Sequence, residues 1–439
     1  MKFRASEIAR AVGGELVGPD VQVDEARHDS REVSGGELFV PLVDQRDGHD
    51  FIAAALAAGA AAYFTAREPV GGSAIRVYDP AQALAALGGV ARSHLPNRVV
   101  GVTGSVGKTS CKDLAAAAIG ASFETHASLR SFNNEYGVPL TLINAPDGTE
   151  AAVIEMGARG LGHIAQLCEI ATPTIGIVTT VELVHTELFA GIEEIAQAKG
   201  ELVEHLPANG AAILNAANPL VAAMASRTRA KVVAFGGDDG DVRALDLVLD
   251  DQLRPTFRMV TPWGAAEVRL EVRGEHQVQN ALAAAAAALV LEVPLDLVVG
   301  GLSAAALSPW RMELDTAASG ALILNDAYNA GPTSMEAALR SLAHLDVARR
   351  IAVLGPMAEL GDHGAVAHRR ISEIAGELAV SVLAVGAPHY RGDAIQHLAD
   401  RPAALAALAA LGIGAGDAVL VKGSRVAGLE HVAAALLRP

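Results

Sequence analysis

VVGVTGSVGKTS, Val99 to Ser110, is an apolar run that breaks into a glycine turn and ends on Gly107-Lys108-Thr109 before an alanine-rich segment. That order predicts a strand, a loop and a helix, the context a phosphate-binding loop needs. The strict pattern G-x-x-x-x-G-K-[ST] asks for glycine at position 102, where this chain has Val102. Val102 reads instead as the last buried strand residue before the turn. Gly104 and Gly107 let backbone N–H groups approach phosphates, and the helix N-terminus adds positive potential. Lys108 can neutralise phosphate oxygens and the Thr109 hydroxyl can ligate Mg²⁺. The competing reading is a turn that only joins a strand to a helix. Lys-Thr directly after the second glycine favours the phosphate.

Two further apolar runs follow, AAVIEMG (Ala151–Gly157) and PTIGIVTTV (Pro173–Val181). Short, continuous and closed by polar or glycine residues, they read as buried parallel strands. Glu155 ends the first, and His185 lies just beyond the second. If all these strands run parallel, Gly104, Glu155 and His185 share the carboxyl edge where open α/β sheets bind ligands. A carboxylate and an imidazole there suit a metal ion, whereas a lone Glu at a strand end is often only solvated or a cap.

In GIEEIAQAKGELVEHL (Gly191–Leu206), Lys199 falls on the apolar stripe of Ile192, Ile195, Leu202 and Leu206. It stands four residues after Ile195 and three before Leu202, on one face of the helix. An amine on that face snorkels, pairs or is modified. If its pKa is depressed it can take up CO₂, and the carbamate is a metal-binding carboxylate.

With 439 residues the chain is long for one core, and 51% hydrophobic content without low-complexity tracts is a globular composition. A net charge of −16 argues against a general nucleic-acid binder, which needs a basic face. MKFRASEIARAVGG lacks the apolar core of a signal peptide. The most apolar run, Ala281–Val293, falls short of the about 20 residues that span a bilayer. Cys111 and Cys168 form neither a disulfide framework nor a metal knuckle. A cytoplasmic protein without membrane insertion is expected.

Three α/β domains are expected: residues 1–80, residues 81–308 built on a P-loop-type parallel sheet, and residues 309–439 as a Rossmann-like, doubly wound unit. The last rests on four strands, ALILND, RIAVLGP, VSVLAVG and DAVLVKG, with Asp326 ending the first. SFNNEYGVPLTLI (Ser131–Ile143) offers the amides of Asn133 and Asn134 to peptide or phosphate groups, or is an ordinary Asn-rich turn. Asn280 in GEHQVQNALAA and Asp326 in NDAYNAGPTSM are by themselves equally good caps.

Taken together, GVTGSVGKTS, FNNEYGVPLTL, IEMGA, the His185 segment, AKGEL, GEHQVQNALAA, NDAYNAGPTSM and VLGPMAELG resemble, in order, the motifs of the ATP-dependent Mur ligases. Within that family the NNxxGxPL and DxYNAxP segments are most similar to the members that join D-alanyl-D-alanine to a UDP-N-acetylmuramoyl-tripeptide. DSREV…GELFVPL…DGHDF (Asp29–Phe51) resembles the family's uridine-diphosphate-binding domain.

The resemblance implies ATP and two Mg²⁺ ions, a ligase acting through an acyl phosphate, and a cytoplasmic monomer serving peptidoglycan synthesis. It implies that the loop Thr103, Gly104, Ser105, Val106, Gly107, Lys108, Thr109 and Ser110 holds the phosphates. Thr109, Glu155, His185 and a carbamylated Lys199 would bind the metals. Asn280 would contact adenine, Arg311 the phosphates and Asp326 the ribose. Ser30 and Arg31 belong to the motif around the UDP group, and Asn133, Asn134, Tyr328 and Asn329 to the substrate surface.

Departures from the family pattern are Thr180–His185 for TNxGxAH, Pro356 for Asp and Gly331 for Asn. The rival readings are another amide ligase of this fold, either diamino-acid-adding or folate-polyglutamating, and a nucleotide-binding protein that does not ligate. The diamino-acid ligase should carry an Asp-Asn-Pro-Arg-like motif that this chain lacks, and the nucleotide-binding protein has no need of Glu155, His185 and Lys199.

Overall fold

The glycine turn leaves the carboxyl end of Val99–Thr103, an inner strand of a six-stranded parallel sheet. In this computed structural model, which describes residues 2–183 and 188–438, the sheet order is Lys231–Phe235, Ala211–Asn215, Ile175–Val178, Val99–Thr103, Ala151–Glu155, Thr125–Ala127. All five pairings are parallel, with Glu155 level with Val102 and Val178 level with Thr103. The strand ends that carry the loop and the carboxylate therefore lie side by side. Val102 is fully buried, as its apolar neighbours require, but the strand runs one residue further. Thr103 closes it, with its hydroxyl donating to the Met156 carbonyl at 2.8 Å.

Helix Lys108–Gly120 starts at the turn and packs against helix His276–Val290. Residues Ala283–Ala288 of the latter are all buried, and small side chains let two helices approach closely. That approach carries Asn280, near the start of its helix, up to the loop. An antiparallel ribbon of Arg243–Leu249, Pro255–Thr261 and Gly264–Arg269 covers the same layer.

The C-terminal sheet runs Glu313–Thr316, Leu322–Asn325, Asp417–Lys422, Arg349–Leu354, Ser381–Val385, Ile395–Leu398. Its inner strands are the four apolar runs; the two edge strands are additional. ELDT and IQHL have no continuous apolar run because an edge strand is half exposed, so their sequences carry no strand signal. Glu313–Thr316 pairs antiparallel and the other strands parallel. Asp326 thus follows the second strand of this unit, not the first.

The N-terminal unit has a five-stranded sheet, with Ala26–Arg27 at one edge. Asn144 of the central unit completes that edge: its amide oxygen accepts from the Ala26 N–H at 2.7 Å and its amide nitrogen donates to the Ala26 carbonyl at 3.0 Å. The segment leading to the C-terminal unit is fixed by Asp113, whose carboxylate accepts from the Ser308 N–H at 2.7 Å. Among the described residues no helix is long and apolar enough to cross a membrane.

Candidate active site

The loop keeps its shape through backbone that only glycine tolerates. Gly104 has φ +146°, and a Cβ there would lie 1.9 Å from the Thr179 hydroxyl. Gly107, at φ +87°, would place one 2.5 Å from the Asn280 amide oxygen. The departure segment braces the loop from the neighbouring strand. Ser105 N–H donates to the Thr180 carbonyl at 2.8 Å, Val106 N–H to the Thr180 hydroxyl at 3.2 Å, and Glu182 N–H to the Ser105 hydroxyl at 2.9 Å. Burial raises the Glu182 carboxyl above its usual range, opposed by hydrogen bonds with Thr333, from the C-terminal unit, and Thr180.

A cavity of about 690 Å³ opens over the loop, walled by the central and C-terminal units. Lys108 reaches back along its floor, donating to the carbonyls of Gly104 at 2.8 Å and Ser105 at 3.2 Å. Burial pushes its amine below the usual value, with Arg311 adding to this and Glu155 and Glu359 opposing it.

Glu155 is 1% exposed. Its N–H donates to the Ser128 hydroxyl at 3.1 Å, and one carboxylate oxygen accepts from the Asn133 amide at 2.7 Å. The other oxygen is buried with no hydrogen-bond partner among the described residues. An ionised oxygen left bare in the interior costs several kcal/mol unless a cation meets it. Lys199, 2% exposed, also lines the cavity. It does not snorkel: burial first, and the Lys108 charge second, hold its amine well below the usual lysine value. Among the described residues no group of three or more His, Cys, Asp or Glu side chains could hold a metal ion. His185 lies outside the described residues.

From the C-terminal unit come Arg311, Asp326, Tyr328 and Asn329. The Arg311 guanidinium stacks on the Tyr328 ring, 4.1 Å from its centroid, with its Nε buried and without a hydrogen-bond partner among the described residues. Tyr328 OH in turn hydrogen-bonds Ser131 of the central unit. The residues flanking Arg311 adopt left-handed backbone, Trp310 at φ +62° and Met312 at φ +54°. Such strain costs about 1–3 kcal/mol per residue and persists only where the surroundings fix it. Here Trp310 N–H is held by Glu313 at 2.9 Å and Met312 N–H by Asp326 at 3.2 Å.

The cavity also gathers Ser105 to Ser110, Asn133, Asn134 and Asn280. Thr103 and Gly104 lie beneath it, and Ser30 and Arg31 are not part of it. They occupy a short turn of the N-terminal unit, where Arg31 pairs with Asp29.

Sequence reading missed Lys422, a buried lysine whose amine donates to Asp326 at 2.6 Å and to the Asn329 carbonyl at 2.9 Å. The signal was present: a lysine ends the apolar strand DAVLVK as Glu155 ends its own. It also missed His276, which faces Asp326 and Lys422 across the units. Burial holds its ring below the usual value, Lys422 adds to this and Asp326 opposes it.

A larger cavity, about 950 Å³, opens at the opposite, amino edge of the central sheet. Its buried Arg92 is committed to backbone carbonyls, including Ala171 at 2.7 Å and Leu95 at 3.1 Å, and no loop or bare carboxylate accompanies it.

Residues 102–288 match the family described as Mur ligase middle domain, and residues 310–425 the Mur ligase, glutamate ligase domain. The chain is 41% identical to the UDP-N-acetylmuramoyl-tripeptide–D-alanyl-D-alanine ligase of Mycobacterium tuberculosis, over 100% of this chain and 98% of that one. Two solved structures share its fold. The MurF ligase of Thermotoga maritima in complex with ADP has TM-score 0.81 and 28% identity, covering 93% of this chain and 96% of that one. The UDP-N-acetylmuramoylalanyl-D-glutamyl-2,6-diaminopimelate–D-alanyl-D-alanyl ligase of Acinetobacter baumannii has TM-score 0.88 and 28% identity, covering 99% and 98%. Sequence and structure agree along the whole length, and the chain belongs to the Mur ligase family, in its branch of UDP-N-acetylmuramoyl-tripeptide–D-alanyl-D-alanine ligases.

Proposed function

We propose that the chain is an ATP-dependent ligase that joins D-alanyl-D-alanine to a UDP-N-acetylmuramoyl-tripeptide, a step of peptidoglycan precursor synthesis. The observation that carries this reading is one cavity holding the phosphate loop, a bare buried carboxylate oxygen, a desolvated lysine and an arginine from the opposing unit. A protein that only binds nucleotide has no use for the last three.

In the reaction, a carboxylate of the tripeptide attacks the γ-phosphorus and ADP leaves. The amine of D-alanyl-D-alanine then attacks the acyl phosphate, loses a proton, and phosphate leaves as the amide forms. Positioning and charge neutralisation do most of the work, because the reacting partners are all anionic. Lys108 and the loop amides take the β- and γ-phosphates. Arg311, pre-set by its strained neighbours, neutralises charge from the other side. Asn280 serves adenine and Asp326 the ribose, with Lys422 holding that carboxylate in place. Closing the units around the acyl phosphate excludes water that would hydrolyse it.

The bare oxygen of Glu155 suits a cation, and Thr109 with Glu155 would hold one Mg²⁺, while His185, outside the described residues, and a carbamylated Lys199 would hold a second. Bound Mg²⁺ would supply charge neutralisation between the γ-phosphate and the incoming carboxylate. Burial first, and the Lys108 charge second, lower the Lys199 amine well below its usual value and so favour the neutral form that reacts with CO₂.

Residues 1–80 hold the UDP group through the turn of Ser30 and Arg31, residues 81–308 hold ATP, and residues 309–439 close over both. Asn133, Asn134, Tyr328 and Asn329 face the peptide and the incoming dipeptide. One copy supplies every group named here, so we assign a monomer. We place it in the cytoplasm, where ATP and nucleotide-linked sugars are made. For the tripeptide we take the alanyl-D-glutamyl-2,6-diaminopimelate sequence in the name of the Acinetobacter relative.

Two experiments bear on this reading. ADP release should require both D-alanyl-D-alanine and the UDP-muramoyl-tripeptide; release with ATP alone would refute it. Glu155→Gln should lower kcat by about 10²–10³-fold and raise the Mg²⁺ concentration needed for half activity. The fold should survive, because glutamine keeps the oxygen that Asn133 meets. An unchanged Mg²⁺ titration would remove Glu155 from the metal set.

A further inference from the structure

The cavity wall beside the phosphate loop carries a cation uncommitted among the described residues, Arg159. It is exposed, lines the cavity, and follows Glu155 by four residues at the same sheet edge. Its side chain has no hydrogen bond or ion pair among the described residues. Four other cations lining the cavity are engaged: Lys108 on loop carbonyls, Arg311 on Tyr328, Lys422 on Asp326, Arg425 on Glu430.

The backbone beneath Arg159 is held firmly while the guanidinium is free. Gly157 N–H donates to the Asn133 carbonyl at 2.7 Å and Arg159 N–H to His163 Nδ1 at 3.3 Å. Gly162 and Ala165 N–H groups both donate to the carboxylate of Glu201, at 2.6 and 3.0 Å, from the helix that carries Lys199. A fixed base presenting a free fork of donors is the arrangement that recognises a carboxylate with little ordering cost.

Its location fits the path of the peptide. Tyr136 follows Glu135 of the cavity lining; burial first, then Glu135, Asp44 and Asp79, raise it above its usual pKa, and Arg159 opposes this. Arg159 lines the same cavity as Glu155, four residues further along the chain, so a peptide reacting beside Glu155 enters the space that Arg159 faces.

We propose that Arg159 is a specificity-determining residue that binds a non-reacting carboxylate of the tripeptide. This rests on the ligase reading above and names the chemistry of one subsite. An alanyl-D-glutamyl-2,6-diaminopimelate peptide has two such carboxylates. One is the free carboxylate of the D-glutamyl residue, and the other is the diaminopimelate carboxylate that is not activated. A lysine in third place keeps only the first.

The test is steady-state kinetics of the full chain, wild type against Arg159→Gln and Arg159→Lys, with diaminopimelate- and lysine-containing UDP-muramoyl-tripeptides. Arg159→Gln should raise KM for the diaminopimelate peptide by about 10- to 100-fold, the loss of one charge-assisted contact. KM for ATP and for D-alanyl-D-alanine should stay within twofold, and Arg159→Lys should recover part of the loss. A wild-type preference for diaminopimelate that Arg159→Gln erases assigns the contact to the third residue. Equal losses on both peptides assign it to the D-glutamyl carboxylate. If wild type turns over and Arg159→Gln keeps wild-type KM for both peptides, the inference fails alone. If wild type turns over neither peptide, the ligase reading fails, and this inference with it.

Discussion

Lys108→Ala is expected to lower kcat/KM for ATP by about 10³-fold, roughly 4 kcal/mol of lost transition-state stabilisation. The amine lies on the floor of the cavity, bonded among the described residues only to the carbonyls of Gly104 and Ser105, contacts a phosphate would replace. Burial opposes its charge most, Glu155 and Glu359 favour it and Arg311 opposes it, and an anion of high charge density in the cavity would stabilise it. Its removal leaves no buried acceptor stranded that water in the cavity cannot reach, and the melting temperature should change by no more than a few degrees. Arginine should not substitute, since its fork is too long and planar for a point charge beneath a tight loop. Near-normal ATP affinity in Lys108→Ala would count against the loop as the phosphate site.

Lys199 carries the second large effect. Lys199→Ala should abolish measurable ligation, a loss of at least about 10³-fold, and millimolar bicarbonate should not restore it. In wild type, ¹³C-bicarbonate should yield a carbamate resonance that the variant lacks. Lys199→Met separates chemistry from packing. It keeps an apolar stem between Ile195 and Leu202 and removes an amine that is costly to bury, so it should be at least as stable as wild type while remaining inactive. Full activity in Lys199→Ala would end the carbamate proposal.

The residues that announce themselves in the sequence are those whose type conflicts with their surroundings. Lys199 interrupts an apolar stripe, Glu155 ends an apolar strand, and Lys108-Thr109 follows a glycine turn. Each conflict survives folding as a buried or strained group facing one cavity. Lys422 showed the same conflict but was read as part of a strand, because its partner Asp326 lies 96 residues away in the chain. Arg159 gave no signal, since an arginine in a glycine-rich turn conflicts with nothing until the fold sets it in the cavity wall. The edge strands Glu313–Thr316 and Ile395–Leu398 escaped for the opposite reason: half-exposed strands need no apolar run. The strain at Trp310 and Met312 is a product of tertiary anchoring by Glu313 and Asp326, which no local pattern encodes.

The central claim is that the tripeptide carboxylate is phosphorylated before the amide forms. Labelling that carboxylate with ¹⁸O and following single-turnover ligation tests it directly, because the attacking oxygen stays with phosphorus when the acyl phosphate is opened by the amine. The account predicts that the released inorganic phosphate carries one ¹⁸O from the peptide, in step with amide formed. Unlabelled phosphate alongside full ligation would contradict it.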